Sequence, residues 1–452
     1  MTLNPEHAQV ALDAAGTAEH ARQVRKAAVA STVGTTIEWY DYFLYGTAAA
    51  LVFPQLFFPN ASPYVALLSS FATYFVGFLA RPVGAAIFGH WGDRIGRKVT
   101  LIVTLLLMGI STALIGLLPG QASWGDAAPV VLIILRILQG IAVGGEWSGS
   151  VLLSMEWGDQ HRRGLMGSWP QLGVAIGLIL STGLMALFNT VAGKSGFLSW
   201  GWRVPFLLSL VLVAVGLYIR LKVLETPMFA KVVAEKTVER MPVWLVIRRH
   251  PKAIVLSALV RMSEQMPFYI VTAFVLSYLT GPEHGFSRNF VLIGTLVAAG
   301  VEFVLVPYFG HLSDSVGRKK IYMAGAAIMG VWGFAYFAML DSGIGWLVFL
   351  ALCLGLVPHA MQYGPQASLI AESFPTRLRY GGAGLGYQLA SVIAGGPAAL
   401  VATYLIHQFG TGYAVAVYIA VSAVITLAAC AALTDHSRSD IADDAIYATR
   451  SR

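Results

Sequence analysis

The sequence predicts an all-α polytopic membrane protein of twelve transmembrane helices, arranged as a duplicated six-span unit. Three observations predict it. The 452 residues are 57% hydrophobic and only 12% charged, with mean hydropathy +0.69, whereas soluble domains carry roughly 25% charged residues. Apolar stretches recur along almost the whole chain, each long enough to cross a ~30 Å hydrocarbon layer as a helix. Charged motifs also repeat between the halves. GHWGDRIGRK (89–98) is echoed by GHLSDSVGRKK (310–320), with Asp93 and Asp314, like Arg97 and Arg318, 221 residues apart. EWGDQHRRG (156–164) is echoed by ESFPTRLRYG (372–381), with Glu156 and Glu372, like Arg163 and Arg379, 216 apart.

Taken in order, residues 1–26 read as a polar arm ending in Arg22, Arg25 and Lys26, without a small-residue cleavage site. Spans follow at 27–53, 63–88, 99–118, 129–154, 165–188 and 203–221, which make the first unit, 27–221. A charged linker, 222–252, leads to spans at 253–279, 290–309, 320–340, 345–371, 381–406 and 412–433, within a second unit, 253–434. A short tail, 435–452, closes the chain. With both termini inside, 24 of the 30 Lys and Arg fall on the cytoplasmic side, as the positive-inside rule requires. The net charge of +7 therefore follows from topology, and its spread over short loops argues against a nucleic-acid partner. Cys353 and Cys430 fall in separate spans, so neither a disulfide nor a metal site is expected. No cofactor is implied. GGAGLG (381–386) opens an apolar helix without a preceding strand, so it is read as close helix packing and not as a phosphate loop.

The repeated loops have the chemistry of a latch. Asp93, Arg97, Glu156 and Arg163 in one half, and Asp314, Arg318, Glu372 and Arg379 in the other, can pair when the cytoplasmic side is shut and part when it opens. Ser315 stands where the first half has Arg94, which predicts a weaker second latch.

A charged side chain at the centre of a span costs roughly 2.5–3.5 kcal/mol on insertion scales, so each one retained is a functional candidate. Glu38 and Asp41 share a helical face with Tyr42 and Tyr45 near the middle of span 1. They are candidates for proton coupling, as are Glu146 and Glu264, with Glu146 alternatively a latch residue. Arg136 in span 4 and Arg261 in span 7 suit a substrate carboxylate, because the guanidinium is a planar fork. The alternative pairs Arg261 with Glu264 and Arg136 with a carboxylate of span 1. Gln139, Gln171, His359, Gln362, Tyr387 and Gln388 are polar positions that can hydrogen-bond a substrate or glue helices together. Arg81 is expected near the cytoplasmic end of span 2, where it can snorkel or join the latch. Glu302 is left without a role.

GHWGDRIGRK and its echo resemble the signature loops of the major facilitator superfamily. GTTIEWYDYFLYG, ARPVGAAIFGHWGDRIGRK, RILQGIAVGGEWSGS and LSWGWRVPFLLS together resemble its metabolite:proton symporter family, and MPFYIVTAF with GAGLGYQLAS leans towards the shikimate-permease branch. The resemblance implies two pseudo-symmetric six-helix bundles (the major facilitator fold) rocking about a central site. It implies a proton symporter importing a small organic acid, shikimate-like, aromatic or a di- or tricarboxylate, in a bacterial inner membrane. The partners expected are a small anionic metabolite, protons and the lipid bilayer, with the chain monomeric. The alternatives are a symporter for zwitterionic osmolytes such as proline or betaine and, more remotely, a non-transporting membrane sensor. No enzyme is expected, since no catalytic constellation is present.

Overall fold

Among the described residues, twelve long helices run back and forth across the molecule. The computed structural model describes residues 18–95, 97–157, 160–221, 242–439, 441 and 444–447. The side chains of Asp93, Arg97 and Glu156, three of the latch positions, lie outside the described residues. The helices are α1 (Ala18–Leu51), α2 (Pro63–Ile95), α3 (Arg97–Leu117), α4 (Ala127–Trp157), α5 (Arg163–Gly196) and α6 (Arg203–Leu221). They continue with α7 (Pro251–Thr280), α8 (Arg288–Val316), α9 (Arg318–Asp341), α10 (Gly345–Ala371), α11 (Arg379–Phe409) and α12 (Gly412–Ala432). Among the described residues there is no strand.

Ten of these helices are individually long and apolar enough to cross a membrane, and α7 makes one more as a pair of segments bent by 41° at Arg261. The twelfth, α1, is too polar to pass such a test, and its burial explains why. Residues 34–53 are all buried, enclosed mainly by α5, α4 and α6. A helix with no lipid-facing stripe has no need of an apolar one.

The helices outrun the predicted spans at the end that carries both described termini. The segment expected as loop 89–98 is helical to Ile95, and α8 likewise continues to Val316. Gly317, at φ 109°, then makes the turn into α9, a conformation that residues with a Cβ rarely adopt. Closeness between helices comes from small residues. A Cβ on Gly140 would strike the carbonyl of Gly77, and one on Gly144 the carbonyl of Arg81, so α2 and α4 meet backbone to backbone.

The two halves meet through α2 against α11, and through α5 against α8 and α10. Single π-helical turns interrupt α7 at Ile270–Phe274 and α11 at Ser391–Gly395, the kind of irregularity that recurs at functional sites. At the end opposite the termini a vestibule of about 760 Å³ opens between the halves. Ends of α1, α2, α5, α7 and α8 line it, with Gln55, Asn189 and Arg288 among its polar groups.

Candidate functional site

Charges sit deep in this structure, and they fall into four groups. The first surrounds α1. Asp41 is fully buried, and neither of its carboxylate oxygens has a hydrogen-bond partner. Arg136 of α4 is equally buried and enclosed by tyrosines, its Cζ lying 4.0, 4.1 and 4.8 Å from the ring centroids of Tyr42, Tyr45 and Tyr74. It donates to Gln139 Oε1 at 3.1 Å, and Gln139 donates to Thr112 at 2.6 Å. The anticipated pair between Arg136 and a span 1 carboxylate is not formed. The cation is instead held by π-faces, each contributing ~0.5–2 kcal/mol. Tyr45 donates to Thr73 at 2.7 Å, whereas the Tyr42 hydroxyl is unpartnered.

Arg81 corrects a sequence expectation. It does not snorkel: it is fully buried, because α2 extends well beyond Phe88 and leaves this residue mid-helix. Its Cζ lies 4.1 Å from the Tyr42 ring, 4.6 Å from Phe78 and 5.6 Å from Trp39, and Nη1 reaches Ser391 of α11 at 3.4 Å. Glu38, also buried, is within electrostatic reach of Arg81 and Glu146.

The second group lies in the C-terminal half, at the break in α7. Arg261 Nε is 3.2 Å from Glu264 Oε2, its Nη1 donates to the Tyr387 carbonyl at 2.5 Å, and its Cζ stacks 3.3 Å from the Tyr387 ring centroid. Of the alternatives left open by the sequence, the Arg261–Glu264 pair is the one formed. Glu264 also accepts from Gln366 at 2.7 Å and lies 3.2 Å from His359 Nε2. The other face of that imidazole meets Glu302 Oε1 at 2.8 Å. Glu302, unassigned from sequence, is thus the far end of a buried row from Arg261 to Glu264, His359 and Glu302.

The third group is the pair of Glu146 with Arg220 of α6, joined by a 2.9 Å bond from Thr104 to Glu146. Arg220 also donates to the Leu101 carbonyl. Arg220 lies within the predicted span 203–221 and is only 5% exposed.

The fourth group seals the terminal end. Glu372 of the second half accepts from Arg163 of the first at 2.8 Å and from Arg318 at 2.9 and 2.7 Å. Asp314 accepts from Arg318 at 3.1 Å and from the amides of Gly164 and Leu165 at 2.7 and 3.0 Å. It thereby caps the N-terminus of α5 from across the interface, where the helix dipole favours an anion. Arg379 stands apart from these ion pairs, donating to the carbonyls of Phe374 and Ile441.

The remaining polar candidates divide. Gln171 takes a 3.0 Å bond from Trp147 and faces Gln366 and the Tyr363 carbonyl at 3.4 Å across the interface. Gln388 reaches the carbonyls of Val143 and Gly144, also across it. The ring of Tyr387 stacks on Trp147 at 3.7 Å. Gln362, bonded to Ser263 at 2.6 Å, ties α10 to α7 within one half. Gln366 was missed, although it continues the face of His359 and Gln362 at helical spacing. Ser391 was missed because two of its partners, Arg81 of α2 and Gln265 of α7, are distant in sequence.

Duplicated helical halves with buried charges along their contact, sealed at one end and open at the other, define a multi-pass membrane transporter. The chain belongs to the Major Facilitator Superfamily, whose family model matches residues 32–399. It is 41% identical to the inner membrane metabolite transport protein YhjE of Escherichia coli, over 89% of this chain and 92% of that one. It is 41% identical to the shikimate transporter of the same organism, over 92% and 96%. The proline/betaine transporter of Salmonella typhimurium is 32% identical over 90% and 82%. Among solved structures, the proton:xylose symporter XylE superposes with a TM-score of 0.74 at 18% identity, covering 95% of this chain and 100% of the other. That likeness establishes the fold. The chain is a transporter and not an enzyme.

Proposed function

We propose that this transporter is a proton-coupled symporter that imports a small organic acid by alternating access, in a bacterial cytoplasmic membrane with both termini inside. The observation that carries this reading is the coexistence, at membrane depth, of a donorless carboxylate, Asp41, and guanidinium groups without carboxylate partners. Burying an ionised carboxylate without a donor costs far more than burying the neutral acid. Asp41 is therefore the group suited to load a proton in the sealed state, with Glu38, Glu146 and Glu264 as further carriers. Arg136, which has no carboxylate partner, and Arg261, once released from Glu264, would draw the substrate anion into the contact between the halves 27–221 and 253–434. Tyr42, Tyr45, Gln139, Gln171, His359, Gln362, Tyr387 and Gln388 would supply the surrounding polar groups. The cluster about Glu372 would act as the cytoplasmic gate, and the vestibule as the outer mouth.

Similarity to a shikimate transporter at 41%, against 32% for a proline/betaine transporter, favours an organic acid over a zwitterionic osmolyte. The test is uptake into proteoliposomes under an imposed inward proton gradient, with shikimate, benzoate, 2-oxoglutarate and glycine betaine as substrates. Gradient-driven accumulation of at least one acid is expected. Asp41→Asn is expected to lose accumulation while retaining exchange of substrate down its own gradient. Uptake by the wild type that ignores the gradient would sink the proposal.

A further inference from the structure

Six arginines of this structure besides Arg81 are at most 5% exposed and reach a side-chain or main-chain acceptor within normal hydrogen-bond distance: Arg136, Arg163, Arg220, Arg261, Arg318 and Arg379. Arg81 has less. Its single hydrogen bond is the 3.4 Å contact of Nη1 with Ser391, and Nε and Nη2 have no acceptor. Those two nitrogens form the side edge of the guanidinium, whose parallel N–H groups match the two oxygens of a carboxylate. A cation this deep with its best edge unused is costly unless an anion completes it.

The groups around Arg81 come from both halves. On its own half, Arg81 is walled by the rings of Trp39, Tyr42 and Phe78. From the other half come Ser391, which opens the π-helical turn of α11, and Gln265, whose Nε2 donates to Ser391 at 2.9 Å while its Oε1 is unpartnered. Tyr269 brings another unpartnered hydroxyl, its ring 5.0 Å from Phe78. Arg136 also has a free edge, but its Nη1 is tied to Gln139 on its own helix. Arg81 is the one of the two that reaches across the interface.

We propose that Arg81 grips the substrate's carboxylate between the halves, with Ser391, Gln265 and Tyr269 supplying polar groups from the second half. An anion bound there contacts both halves at once, so its affinity differs between the closed and parted arrangements. That difference is what lets a ligand bias a two-state protein. The inference rests on the organic-acid reading above and adds Arg81 to the arginines that reading names.

The test is binding to purified full-length protein in detergent, followed by isothermal titration calorimetry with shikimate, benzoate and the methyl ester of each. The wild type is expected to prefer an acid over its ester. Arg81→Gln is expected to weaken acid binding about 30- to 100-fold, the scale of losing a buried charge-assisted pair, while ester binding changes less than about threefold. Arg81→Lys keeps the charge but not the fork, and Ser391→Ala keeps both; each is expected to weaken the acid by a smaller factor of about 3 to 10. These milder variants carry the test if Arg81→Gln does not fold. Retention of the full acid-over-ester preference in Arg81→Gln, or wild-type behaviour in both milder variants, overturns the proposal. If the wild type binds no acid, the organic-acid reading fails with it. If Arg81→Gln loses the preference while wild-type uptake ignores the proton gradient, only the coupling reading fails.

Discussion

Glu146 and Arg220 form a buried ion pair whose charges are both accounted for, because Thr104 and the Leu101 carbonyl take up remaining valences. Removing one partner leaves the other charged and buried. Glu146→Ala is expected to destabilise the protein by about 3–5 kcal/mol, seen as a large fall in melting temperature in detergent. The double variant Glu146→Ala/Arg220→Met is expected to recover most of that loss. A melting temperature in Glu146→Ala equal to wild type would contradict the pairing. Asp41 differs at the same scale, since neither of its carboxylate oxygens is hydrogen-bonded. Its substitution by Asn is therefore expected to leave the melting temperature within a few degrees while abolishing proton-driven accumulation.

Elements meet closely where glycine permits it. Gly140 and Gly144 place α4 against the main chain of α2 at Gly77 and Arg81, and that contact fixes where the Arg81 side chain emerges. Gly144→Ala is expected to cost about 1–3 kcal/mol, the range for overpacking, and to weaken substrate binding by displacing α2. Gly300→Ala on α8, where an added Cβ meets nothing within 4 Å, is the matched control and is expected to melt as wild type. Thermal melting of the pair decides whether close approach, and not glycine itself, matters at position 144. The enclosure of α1 follows the same logic, with Gly173 and Gly177 of α5 lying against the backbone of Thr32, Thr36 and Tyr40. Span 1 was legible as a helix, but its uncommon polarity made sense only once its burial on all sides was known.

The cluster about Glu372 joins Arg163 of one half to Arg318 of the other. Each charge-assisted bond contributes about 1.5–3 kcal/mol, enough to set the balance between two arrangements of the halves. Glu372→Gln is expected to shift that balance towards the state open at the terminal end. The shift can be read with Ser168→Cys, a buried position packed against Gly310 across the interface, after replacing the free Cys353 and Cys430 by alanine. Maleimide should label this thiol about tenfold faster in the Glu372→Gln background. Equal labelling rates would show that the cluster does not bias the halves.

What the sequence determined by itself is whatever depends on local chemistry and repetition. Composition and apolar length specify helices in lipid, because no other open structure satisfies backbone polar groups there. The matched Asp, Glu and Arg positions specify the duplication, and of these Glu372 accepts from both Arg163 and Arg318 while Asp314 pairs with Arg318. What only the tertiary structure decided is which charges face one another, since that depends on helix length, rotation and approach. Arg81 looked terminal until α2 was seen to extend to Ile95, and Glu146 had no partner until α6 brought Arg220 to it. Glu302 had no role until α8, α10 and α7 brought it to His359 and Glu264. Pairing at membrane depth is a relation between helices distant in sequence, and a single chain read in order records the charges but not the partners.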